Sequence, residues 1–425
     1  MSSSRESTAW LHRRVGFGLE AGRLEELAAA GVDVAIDRLV DPDGHDIPPT
    51  ADDLWAGMEL AAADAQERRR LGAAAIDRWL STFTTTERPL EEWMAWFWHG
   101  HFVSSAMDVQ SPVRMVDQMN LFRRLGLGDF RTLLREVTVD PAMLIYLDGA
   151  QSTAAHPNEN YGREMLELFA LGIGQFDEPD VQAAAAALTG WRIRPGTGQA
   201  FFAPRQHDDT RRTLLGVGGV HDLETVVDAV VGHEACAPFV AGRLAEAILG
   251  PDVDDGLVES LGRDFAASGL EIRPLVRSIL EAGAIDDAGG PLVDGPLPWL
   301  MGAQRATGAR LPLEVRLRGL NDAGHLPWLP PNVGGWPGGS AWLGSSTTAA
   351  RFNLAAAVAQ AVPEDNPAHR AASSGDLDGL AVSLLRPEGF SAPTRDALAE
   401  AGGTGGGAAV AVLTTALASP DLVLA

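Results

Sequence analysis

A mainly α-helical fold is predicted: one large multi-helix unit spanning residues 1–425, with at most a short β-hairpin around 200–216 and an ordered Pro/Gly-rich loop around 326–339. Three observations predict it. Apolar residues recur at three- and four-residue spacing along most of the chain. Strand signals are confined to Ala200-Phe-Phe-Ala and Thr213-Leu-Leu-Gly, on either side of the polar run Arg205-Gln-His-Asp-Asp-Thr-Arg-Arg. Strand and helix patterns do not alternate, which argues against a doubly wound or barrel fold.

Taken in order, Leu24, Leu27 and Ala28 set a helical face that Gly31 ends, and Val34, Ile36, Leu39 and Val40 begin the next. Arg88-Pro-Leu-Glu-Glu opens a helix with proline in the first turn and acids at its positive end. It continues through Trp93, Met94, Trp96, Phe97 and Trp98, apolar nearly all round, so this helix should be central and buried. Asp180 to Leu188 is an alanine-rich helix stopping near Gly190, and Val226–Val231, Phe239–Leu249, Leu257–Phe265 and Ile272–Leu280 carry the same period. Pro327, Pro330, Pro331 and Pro337 make 326–339 a loop, and Trp328 and Trp336 within it predict packing onto the core. Gly402-Gly-Thr-Gly-Gly-Gly follows a helix and lacks a Lys-Ser/Thr ending, so it reads as an inter-helix connector and not as a phosphate cradle.

With 46% hydrophobic and 21% charged residues the chain can bury a large core, which excludes wholesale disorder. Its 33 basic residues face 57 acidic ones, and the net charge of −24 excludes nucleic acid and anionic membrane as expected partners. No apolar run is long enough to span a membrane. The chain contains no lysine, so Schiff-base chemistry and a Walker lysine are ruled out. The lone Cys236 excludes an internal disulfide and reads as a small buried thiol. The opening Met-Ser-Ser-Ser-Arg-Glu-Ser has no apolar h-region, so a cytoplasmic location is expected.

Candidate chemistry concentrates in a few polar segments. His99 and His101 end the tryptophan-rich helix. On a continuous helix they point about 200° apart; a break at Gly100 would let them converge as catalytic residues or divalent-metal ligands. The structural alternative is that both donate to the last helix carbonyls. In His156-Pro-Asn-Glu-Asn-Tyr-Gly-Arg-Glu164, Pro157 fits the first helical position, His156 the N-cap and Glu159 a capping box. His156, Glu159, Arg163 and Glu164 are also candidate catalytic residues, for acid/base work and anion orientation, with Asn158 and Asn160 as substrate contacts, although an ordinary arginine pair would account for Glu164. His207 and Asp208 either complete a metal site with His99 and His101 or form a turn tied to Arg211 and Arg212. Asp140 before Pro141 reads as an N-cap, Asp148 before Gly149 as a turn, and Asn332 and Trp336 as loop residues facing substrate.

Several segments taken together carry a resemblance. They are Leu11-His-Arg-Arg-Val-Gly-Phe-Gly18, Phe97-Trp-His-Gly-His-Phe102, Asp140 to Asp148, His156 to Phe169, Leu188-Thr-Gly-Trp191, His207-Asp208, Leu214-Leu-Gly216 and Pro331-Asn-Val-Gly-Gly-Trp-Pro-Gly-Gly339. In these the chain resembles the bacterial "domain of unknown function 1800" family from about residue 8 to its end. The resemblance implies no activity, since none is established for the family. It implies an exported location for many relatives and a sulfatase-like neighbour family as a partner. This chain departs in lacking an export signal and in carrying arginine where relatives tend to carry lysine.

Two readings stand. In the first, the chain is an enzyme whose His/Glu/Arg cleft performs acid/base chemistry on a small or anionic substrate, with or without a divalent metal. In the second it is a non-catalytic partner or assembly protein whose motifs are caps and buried ion pairs.

Overall fold

The computed structural model describes residues 3–51, 53–62, 64–403 and 407–424; the central residues of the Gly402–Gly407 connector lie outside them. The protein is mainly α-helical, and among the described residues its strands form two small antiparallel two-stranded sheets. Helices occupy Arg23–Ala30, Val32–Val40, Glu178–Ala187, Leu223–Val231, Cys236–Leu249, Asp255–Ala267 and Ile272–Ala284, where the sequence period places them. One continuous cluster of buried apolar side chains runs from Leu11 to Leu417. Cys236 lies inside it, and burial pushes its thiol up to about 12, so it packs as a small hydrophobe.

The two strand runs do not pair with each other. Ala200–Phe202 pairs back onto Trp191–Ile193, and Arg212–Leu214 pairs forward onto Val217–Val220. Positive φ at both Leu215 and Gly216 sets the second turn, the backbone twist that a two-residue hairpin requires. Asp180 Oδ1 accepts the Leu215 N–H at 2.7 Å and pins that turn to the alanine-rich helix.

Helix starts follow the local chemistry. Asp140 accepts from the N–H groups of Ala142 and Met143, both at 3.0 Å, which is the cap its sequence position predicts. Helix ends are closed differently. The last carbonyls of a helix lack partners and carry partial negative charge, so a guanidinium suits them on both counts. Arg14 donates to Ile248 O at the end of Cys236–Leu249 (2.9 Å), and Arg273 to Val40 O at the end of Val32–Val40. Arg305 holds Gly16 O (3.2 Å) just past Ser4–Val15, Phe83 O (3.5 Å) ending Ala65–Phe83, and Thr86 O (2.8 Å) beyond it. Arg386 donates to Leu424 O, and Arg13 to Leu385 O at 2.5 Å. In a chain without lysine, arginine forks clip distant helix ends together.

The tryptophan-rich helix Pro89–His101 packs against Ala65–Phe83, Val32–Val40 and Pro112–Leu125. Glu92, fully buried, turns inward instead of serving the helix dipole. It accepts from Arg123 Nε at 2.9 Å and Trp79 Nε1 at 3.1 Å. Burial raises its pKa and Arg123 opposes that rise. Glu92→Gln keeps the shape and removes the charge opposite Arg123, so a loss of about 2 kcal/mol is expected. Urea unfolding at pH 7 measures it; an unchanged midpoint would mean that the pair contributes nothing.

The 326–339 loop is ordered, as its tryptophans predict. Trp328 is buried, and Trp336 stacks on Trp96 with ring centroids 4.9 Å apart.

Candidate functional site

The structure separates the residues that the sequence groups together. The helix does not break at Gly100; it runs to His101, so the two imidazoles diverge. His99 Nε2 accepts the Trp328 N–H at 3.1 Å, while His101 Nε2 meets Phe169 O at 2.9 Å. A carbonyl can only accept, so His101 carries its proton on Nε2. It does cap a helix end, but that of Met165–Ala170 and not its own. Burial lowers both imidazoles to about 3, so both are neutral. Convergence of His99 and His101 on one metal or substrate is therefore overturned: each serves a different backbone group in the core.

The second segment is also rearranged. His156 is exposed and closes a turn with Thr153, its N–H on Thr153 O at 2.9 Å. Asn158, not His156, caps the helix Glu159–Glu164, accepting the Asn160 N–H at 2.8 Å. Its own N–H bonds Ser152 Oγ. A capping role for His156 and Glu159 is thereby corrected, because the helix starts two residues later than Pro157 suggests. Asn160 is exposed. Arg163 pairs with Glu178 at 2.8 Å and Glu159 at 3.5 Å on the surface, so Glu164, half-buried and raised by burial and by Glu167, has no ion pair of its own.

His207 and Asp208 adopt the turn reading. His207 Nδ1 lies 2.9 Å from Thr189 O, and Asp208 pairs with Arg212 at 2.7 Å, which holds its carboxyl down at about 2. Among the described residues no group of three or more His, Cys, Asp or Glu is arranged to hold a metal ion. The set His99, His101, His207 and Asp208 does not fit a divalent metal: His99 and His101 each bond a different backbone group, and His207 and Asp208 are tied to Thr189 and Arg212.

Trp336 and Asn332 belong to a docking loop. Gly335 lies against Gly100 O, and His99, Trp96, His325 and Trp342 surround the loop's rings. Asn332 is exposed, and its Oδ1 accepts the Gly334 N–H at 2.9 Å to shape the turn.

A polar cleft does exist, around a histidine outside those segments. His12, on the N-terminal helix Ser4–Val15, shares the buried face with Thr8 and Val15. The helix ends at Gly16, where a Cβ would collide with the His12 ring; glycine there makes room for the imidazole. His12 lines a cleft with Glu20, Arg23, Arg38, Glu87 and Arg305. His12 and Arg305 form its floor, Arg23 is half-buried, and Glu20 and Glu87 are exposed at its rim. Of the four deeply buried histidines, His99, His101 and His325 bond backbone groups. Among the described residues the His12 ring alone of the four makes no hydrogen bond; its Nδ1, like that of His99, is buried without a partner. Burial first, then Arg305, Arg23 and Arg38, lower it to about 3. Among the described residues Arg305 is held by three carbonyls and forms no direct ion pair, while Glu20 and Glu87 act on it from a distance. The cleft therefore presents a neutral base among guanidiniums.

The sequence reading missed this site, quoting Leu11-His-Arg-Arg only among the resembling segments. Helical spacing from Thr8 to His12 to Val15 was the available signal for an inward imidazole.

A family model described as a protein of unknown function, DUF1800, matches residues 10–424, nearly the whole chain. The chain belongs to this family. No curated protein and no solved structure matches it. Among the described residues no helix is long and apolar enough to cross a membrane.

Proposed function

We propose that the chain is an enzyme performing acid/base chemistry on a small anionic substrate in the His12 cleft. The observation that carries this reading is the buried, unpartnered imidazole of His12 facing Arg305, Arg23 and Arg38. Burial first, and then the three guanidiniums, keep His12 neutral, since protonating it would add a fourth positive charge to the cleft. A bound anion cancels that repulsion, so substrate arrival raises the basicity of the imidazole that must then take a proton. In this reading Arg305, Arg38 and Arg23 hold the anionic group, and His12 accepts the proton and, as imidazolium, returns it to the product.

The test is turnover of a defined mixture of small phosphate esters and carboxylates, followed by NMR. Consumption of at least one component is expected, slowed 100-fold or more by His12→Gln, the size of a general-base contribution. If no component is consumed and neither phosphate nor citrate shifts the His12 ring resonances, the reading fails.

The alternative, a non-catalytic partner or assembly protein, is favoured by one observation: His99, His101, His207 and Asp208 each make a backbone or ion-pair contact of a structural kind. Under it, His12→Gln changes stability and no chemistry.

A further inference from the structure

The apolar lining of the His12 cleft comes from two separate sources. Leu19 and Leu27 line it from a small apolar cluster that also holds Ala9, Leu24 and Leu385. Ala35 and Leu39, on the helix Val32–Val40, line it from the main core. The two clusters are not continuous with each other, so the cleft lies at a seam between them. Ile47 and Pro89 complete its apolar surface.

The charges of the cleft partly balance. Arg23 pairs with Glu26 at 3.1 Å, and Glu20 and Glu87 act on Arg305. Net charge therefore does not select the ligand; the mixture of surfaces does. Six of the twelve lining residues are apolar, so an inorganic oxyanion would engage the guanidiniums and leave half of the cleft unmatched. Sites that recognise an organic molecule combine an apolar lining with a few polar groups that fix its orientation.

The cleft encloses about 90 Å³, which at roughly 10–15 Å³ for each water-sized site admits about six to nine non-hydrogen atoms. A carboxylate uses two of these as oxygens and leaves room for a hydrocarbon body. On the footing that the cleft binds an anionic substrate, we propose that this substrate is a short-chain organic acid of about four to seven carbons. Its carboxylate lies with Arg305 and Arg38 beside His12. Its alkyl chain lies against Leu19 and Leu27 of one cluster and Ala35 and Leu39 of the other. The chain thereby joins two apolar clusters that the protein leaves apart, and each methylene removed from water there adds to affinity.

Titration of the intact chain at pH 7.5 with acetate, butanoate, hexanoate, decanoate and hexanol, read on the His12 ring resonances, tests this. Affinity should rise about fourfold for each added methylene up to hexanoate and stop rising by decanoate, which outgrows the cleft. Hexanol should bind far more weakly than hexanoate. Leu27→Asn should weaken hexanoate about 10-fold and leave acetate unchanged, with thermal melting as the check that the variant is folded. Should Leu27→Asn fail to fold, the wild-type series decides alone. An affinity that ignores chain length, or that keeps climbing to decanoate, would overturn the proposal and leave the anion reading of the cleft in place. No shift with any acid, or hexanol binding as tightly as hexanoate, would overturn that reading and the proposal with it.

Discussion

Gly335→Ala is expected to lower stability by about 3 kcal/mol or more and to release the 331–339 loop from the core. Two independent costs add. Gly335 has φ +82°, in the left-handed region where a side chain is strained, a cost of about 1 kcal/mol or more. A Cβ there would also sit closer than 3.0 Å to Gly100 O, and the obstacle is backbone inside a buried helix, so it cannot yield as a flexible side chain does. Relief requires the loop to lift. Lifting it takes Trp336 off Trp96 and opens the cluster around His99 and His325, whose imidazoles depend on burial to stay neutral. Gly100→Ala is the informative comparison: a Cβ there meets only the Trp336 ring, at 3.9 Å, so it should cost under 1 kcal/mol. Chemical denaturation of both variants, with tryptophan fluorescence as the probe, separates them. Equal losses would mean that the backbone contact is not what seats the loop.

That contact also explains how the sequence could be read correctly for one purpose and wrongly for another. Pro89, Asp140 and Gly31 act within a turn of where they stand, through a missing N–H, a side-chain cap and a chain reversal, and the elements they bound were legible. Gly100 looks like the same kind of signal, a helix breaker between two histidines. The helix runs through it, and what the position supplies is a carbonyl against Gly335, more than two hundred residues away, which local pattern cannot show. The strand partners follow the same logic: nothing in the composition of Leu215 announces a positive φ, and that angle decides which strand Arg212–Leu214 meets. For the site, the segments richest in histidine and glutamate proved to be bound to backbone or to arginine. His12 was visible as an inward position on its helix, but its character comes from Arg305, Arg23 and Arg38, which only the tertiary fold brings to it.

Acid should destabilise the protein steeply between about pH 6 and pH 4, by roughly 3 kcal/mol per pH unit near pH 5. His12, His99, His101 and His325 are held at about 3 in the folded state against 6.5 for the free side chain. A depressed folded pKa means that unfolding takes up a proton. Stability from each histidine is therefore complete above pH 6.5 and is lost as the pH falls toward 3. Acids raised by burial oppose this, Glu92 among them. Asp140 is raised to about 7 and Asp294 to about 6, so the native state holds their protons and unfolding releases them. At pH 5 the four imidazoles outnumber the two carboxyls, leaving a net uptake of about two protons, which is where the slope comes from. Nearer pH 6.5 the net uptake falls to about one proton, so the slope should be about half as steep. Thermal melting from pH 7.5 to 4.5 measures the profile. His325→Asn separates one contribution from the rest, because an asparagine oxygen can take the Leu297 N–H that His325 Nδ1 accepts at 3.2 Å, without a group that titrates. Its slope at pH 5 should be shallower than wild type by about 1.4 kcal/mol per pH unit. A melting temperature that stays level down to pH 4.5 would mean that these imidazoles find protons, or water, in the folded core.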